Sequence, residues 1–159
     1  MTLVARGTRL LDLAGILGIY TFTLVTARIG RRWTFAGAYL LAAGATVWTF
    51  AQLKQPADVY WMIPLLGFGA TSVFGGFSIY FPELFPTRLP STGTGLCYNV
   101  ARYLTALGPL TLGRLTLLYA SLGHTFPLRP AAISLTLVYL IGLLALPFAP
   151  ETRGQPLPE

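Results

Sequence analysis

Three stretches of this sequence, residues 33–53, 59–82 and 131–149, contain no Asp, Glu, Lys or Arg. About 20 consecutive apolar residues cross a hydrocarbon core, and a charge at its centre is costly and rare. Backbone groups in lipid have no water to bond, so only helices and closed barrels span a membrane. The runs are continuous and do not alternate as barrel strands do, so they read as helices. Two further candidates are residues 10–27, with Asp12 near the start, and residues 92–122, interrupted by Arg102 and Arg114. The expected fold is therefore an all-α membrane protein of five transmembrane helices. It reads as a single membrane domain over residues 1–159, with a tail at 150–159.

Composition agrees. Charged residues make up 10% of the chain and hydrophobic ones 54%, whereas soluble domains carry roughly 25% charged residues. A soluble enzyme and a disordered tail are both excluded. The formal net charge of +6 does not mark a nucleic-acid binder, because the bases lie scattered between apolar runs and form no contiguous basic face. Cys97 and His124 each stand alone, so no disulfide or Cys/His metal site forms within one chain, and no cofactor is expected. A cleaved signal peptide ending at Val25-Thr26-Ala27 is the alternative for the first run. Asp12 and the four further spans argue against it.

Aromatic and basic residues stand at the span ends as interfacial anchors should: Arg31, Arg32 and Trp33 before the second, Tyr60 and Trp61 at the third. Pro56, Pro127 and Pro130 mark short turns. One side of the membrane would hold Arg28, Arg31, Arg32, Arg88 and Arg153; the other would hold Lys54 and Arg129, plus Arg6 and Arg9 on the N-terminal stub. With the stub set aside, the positive-inside rule puts the first side and the C-terminus in the cytoplasm.

Motifs on that side resemble a known family. Thr26-Ala27-Arg28-Ile29-Gly30-Arg31-Arg32 resembles the Asp-Arg-x-Gly-Arg-Arg signature loop of the major facilitator superfamily. Pro82-Glu83-Leu84-Phe85-Pro86-Thr87-Arg88 is similar to a loop between the tenth and eleventh helices of its sugar-porter and metabolite:proton symporter branches. Pro150-Glu151-Thr152-Arg153-Gly154 is similar to the tail after their last helix. All three occur in family order and spacing. The resemblance covers about residues 10–159 and implies a partial C-terminal half of a facilitator fold, helices eight to twelve of twelve. Met1 would then be an internal start, a truncation or a fragment boundary. Two positions depart from the pattern: Ala27 replaces the usual acid, and Pro90 stands where Arg is frequent.

The resemblance implies secondary active transport, not enzymatic work. The cargo would be a small organic solute such as a sugar or organic acid, moved by alternating access, with proton coupling an option. Partners would be the lipid bilayer of the plasma or inner membrane, the solute and the missing N-terminal half. The rival reading is a truncated, non-transporting membrane fragment or one subunit of a split transporter. The family also implies that Arg28, Arg31, Arg32, Glu83, Arg88, Glu151 and Arg153 form a cytoplasmic gate network; the bland alternative is topology determinants on solvated loops.

Arg102 is the other candidate. At a rise of 1.5 Å per residue it falls about 15 Å into a span starting near residue 92, close to the middle of a ~30 Å core. Tyr98 and Asn99 share its helical face. A midplane cation beside an amide and a phenol suits a polar or anionic solute; a structural pairing on another helix, or a gating role, is the alternative. The family makes Thr71, Ser72 and Phe74 secondary cavity candidates, although Gly67, Gly69, Gly75 and Gly76 around them read first as close helix packing. Arg114 should snorkel outward, Asp12 reads as a boundary charge, Cys97 as a packing residue, and Gly108-Pro109 as a bend.

Overall fold

The computed structural model describes residues 2–86 and 90–155. Helix α1 spans Leu3–Ile29, α2 Arg31–Gln52, α3 Val59–Leu84, α4 Pro90–Thr105, α5 Leu107–Ser121, α6 Leu128–Leu135 and α7 Leu137–Ala145. Short 3-10 turns at Pro56–Asp58 and Leu146–Phe148 complete the described secondary structure, which contains no strand. The expected all-α membrane fold is what forms. Leu3–Ile29, Arg31–Gln52, Pro56–Leu84 and Leu128–Phe148 are each long and apolar enough to cross a membrane.

Two helical segments are divided where local chemistry demands it. Between α4 and α5 the helix is interrupted at Ala106. Pro109 has no N–H and its ring crowds the carbonyl four residues back, which belongs to Thr105, so α4 ends there. The pieces, 16 and 15 residues, together cover the segment read as the fourth span. Between α6 and α7 the backbone tightens at Thr136, whose hydroxyl donates to the Ile133 carbonyl at 2.6 Å. Such back-bonding bends helices.

The bundle is organised around α3, which packs most extensively on α1 and next on α2. Small residues set the approach. A Cβ on Gly18 would collide with the Phe68 carbonyl oxygen, and one on Gly67 with that of Leu11. Between lipid-solvated helices there is no water to expel, so close backbone contact of this kind supplies the attraction. Toward one end, Phe22, Phe35, Val73 and Tyr80 form the buried core, with the Phe22 and Phe35 rings edge to face at 5.1 Å. Large apolar side chains elsewhere face outward, Leu144 and Phe148 at 73% and 90% exposure, as a lipid-contacting surface requires.

Candidate functional site

The tightest polar cluster sits where α1 turns into α2. One residue, Gly30, makes that turn with φ +96°, a region that disfavours any side chain. A Cβ there would also stand 2.9 Å from the Glu151 Oε2. The turn presents the first N–H groups of α2, which have no partner within the helix. Glu151 supplies one: the Arg31 amide donates to Oε1 at 2.8 Å and the Arg32 amide to Oε2 at 3.1 Å. A carboxylate at this position also meets the positive end of the α2 dipole.

Arg31 then ties the turn to α3. Its Nε and Nη2 donate to the two Glu83 oxygens at 3.0 and 2.6 Å, a two-point fork that fixes both partners. Its Nη1 donates to the carbonyl oxygen of Thr26 at 3.2 Å. The Thr152 hydroxyl donates to Glu83 Oε2 at 2.6 Å, and the Tyr80 hydroxyl to the Pro150 carbonyl at 2.7 Å. Arg32 turns the other way and donates to the carbonyls of Leu146 and Pro147, both at 3.1 Å. Helices α1, α2 and α3 and the segment after α7 are thereby held at one face.

Burial raises the Glu151 carboxyl. The amide bonds from Arg31, Arg32 and Arg153, with the Arg31 charge, outweigh that and hold it below the ordinary carboxylate range.

Of the seven residues expected in the network, the structure joins Arg31, Arg32, Glu83 and Glu151 through side chains or helix amides and brings Arg153 in by its backbone N–H, 3.1 Å from Glu151 Oε1. Arg28 is exposed and meets none of the others among the described residues, while Arg88 lies outside the described residues. Sequence reasoning missed Thr26, Tyr80 and Thr152. Thr26 and Thr152 stand inside the quoted motifs, and a hydroxyl beside a charged pair was the available signal; nothing in sequence marked Tyr80.

The cavity candidates divide into two groups. Tyr98 on α4 reaches α3, its hydroxyl 3.4 Å from Ser78 Oγ and its ring edge to face with Phe81 at 5.6 Å. Phe74 lies on the same side of α3, 57% exposed and edge to face with Phe77 at 6.3 Å. Asn99 donates to the Gly95 carbonyl of its own helix. Arg102 is exposed, with no carboxylate or carbonyl on its guanidinium among the described residues. Thr71 instead faces α1, where a Cβ on Gly15 would stand 3.0 Å from its hydroxyl, and Ser72 is buried with its hydroxyl on the Gly69 carbonyl. Among the described residues no group of His, Cys, Asp and Glu could hold a metal ion.

The described residues form a multi-pass helical bundle latched by charge at one face, and the chain's sequence relatives are transport proteins. The chain is 28% identical over 141 residues to a Haemophilus influenzae protein named for metabolite transport, a match covering 88% of this chain and 33% of that one. Human solute carrier family 22 member 11 is 30% identical over 147 residues, covering 90% of this chain and 25% of the carrier. The cis,cis-muconate transport protein of Acinetobacter baylyi is 29% identical over 144 residues, with 90% and 33% covered. No protein-family profile matches the chain, and no solved structure does. The chain is thus a relative of major facilitator-type transporters, and it spans about a quarter to a third of the length of those it matches.

Proposed function

We propose that the chain works as the C-terminal part of a facilitator-type secondary transporter, on the metabolite:proton symporter-like side of the superfamily, in helices eight to twelve. In this reading it is one membrane domain in which α4 and α5 together make the fourth of five spans. The cargo is a small organic solute. The relatives named for organic anions, organic cations, muconate and metabolites support that breadth and favour organic ions over sugars. Transport by alternating access needs a facing bundle, supplied by the remaining helices of such a transporter. The membrane is the plasma or inner membrane, with the Gly30 turn and the C-terminal tail in the cytoplasm. The excess of Arg28, Arg31, Arg32, Arg88 and Arg153 over Lys54 and Arg129 supports that orientation.

The observation that carries the reading is the Arg31–Glu83 fork with Glu151 on the N-terminus of α2. It pins three helix ends with contacts that must all break together, which is what a two-state gate requires. Arg102, Asn99 and Tyr98 are the solute-side candidates, supported by the exposed, carboxylate-free setting of Arg102. Solute uptake into vesicles bearing this chain within a twelve-helix transporter tests both parts. Glu83→Gln should lower uptake about tenfold or more through loss of a charged hydrogen-bond pair, and Arg102→Ala should abolish it, with membrane insertion intact for each. Unchanged uptake in either variant removes that residue from the mechanism.

A further inference from the structure

Between α1 and α2 runs an apolar groove floored by Phe68 and Ser72 of α3. Gly18, Val25 and Ile29 form one wall, and Trp33, Gly37 and Leu41 line the other. The hydroxyls that border it are spoken for: Thr21 donates to the Leu17 carbonyl, Thr34 to Gly30 and Ser72 to Gly69. No polar group is left over inside it, so an occupant must be apolar along its length. From Gly18 to Ile29 the α1 wall rises about 16 Å, close to half of a ~30 Å hydrocarbon core. That is the depth of one leaflet.

The mouth of the groove has the opposite character. Trp33, 74% exposed, stands where an interfacial indole belongs. Arg28 lies one turn beyond Val25 on the same side of α1. Arg31 and Arg32 are committed to Glu83 and to the Leu146 and Pro147 carbonyls, but Arg28 is exposed and has no partner among the described residues. The neighbouring hollow between α2 and the end of α7 is lined by Glu151 as well as Arg32, and that arginine is committed to the Leu146 and Pro147 carbonyls. The α1–α2 groove has no acid on its walls.

We propose that this groove binds one anionic phospholipid, with an acyl chain between α1 and α2, the phosphate on Arg28 and Trp33 at the glycerol level. The proposal stands apart from the transport reading, since it needs neither solute nor gate.

Quenching of Trp33 by brominated lipids tests it, using the full chain carrying Trp48→Phe and Trp61→Phe in vesicles of phosphatidylcholine and phosphatidylglycerol. Brominated phosphatidylglycerol should be favoured about fivefold, the worth of one basic residue at an anionic surface. Arg28→Gln should erase the preference and Arg28→Lys should keep it. Gly37→Leu should erase it too, by filling the groove. A Cβ at Gly37 meets nothing within 4 Å, so the backbone there has room for a side chain, and circular dichroism checks that the variant folds. Equal affinity for the two lipids, or a preference that survives either Arg28→Gln or Gly37→Leu, overturns the proposal. Quenching indifferent to headgroup would point instead to a helix of another chain in the groove.

Discussion

Glu151 does three things with one carboxylate: it caps α2, attracts Arg31 and fastens the tail. Its folded pKa lies below the ordinary carboxylate value. A depressed carboxyl adds stability in full above its unfolded pKa, and that stability is lost as pH falls through the folded one. The tail should therefore resist protease near neutrality and become cleavable as the pH drops below the usual carboxylate range. Glu151→Gln should weaken that pH dependence, leaving the part owed to Glu83, which holds Thr152, and limited proteolysis in detergent would record both. Much of this cluster was legible because three motifs carried its residues. The partnering of Arg31 with Glu83, 52 positions away, was not, because sequence spacing does not say which helix ends meet.

Individual helices are governed by small residues and by proline. Where α1 meets α3, Gly18 and Gly67 each lie against a neighbour's backbone. Gly18→Val should thus force the helices apart and cost about 1–3 kcal/mol, the usual penalty of overpacking. Gly44→Ala is the control, since a Cβ there meets nothing within 4 Å, and it should raise stability by up to about 1 kcal/mol through lower backbone entropy. Thermal unfolding in detergent compares the two, and equal effects would contradict the packing account. The apolar runs foretold the helices, and Gly108-Pro109 foretold a bend. The break falls at Ala106, not at the proline, because the crowded carbonyl lies a turn earlier. Helix α1 starts at Leu3, well before its apolar run, since Thr2 caps it with a hydroxyl 3.5 Å from the Ala5 amide.

For the whole molecule, the proposed orientation puts the tail in the cytoplasm. A Gln155→Cys variant in a Cys97→Ser background should react with an impermeant maleimide only after the membrane is opened; labelling of intact cells would reverse the topology. The latch at the Gly30 turn and the apolar groove beside it lie at the same end of the bundle. Thr71 and Ser72, grouped in sequence with Phe74 as cavity candidates, face α1 and the buried side of α3, whereas Phe74 shares the other side with the ring of Phe77. A helix distributes neighbouring residues around its axis at about 100° each, so nearness in sequence could not keep them together.

By itself the sequence determined that the chain is helical and membrane-embedded, because long uncharged runs leave the backbone no other way to satisfy its hydrogen bonds in lipid. It also named most of the charges at the latched end, since charges are excluded from those runs. Only the tertiary structure decided which charges pair, which glycines touch and which arginine stays open. Those outcomes depend on how α1, α2 and α3 rotate about their axes to bring small residues together, a collective choice that no single segment encodes.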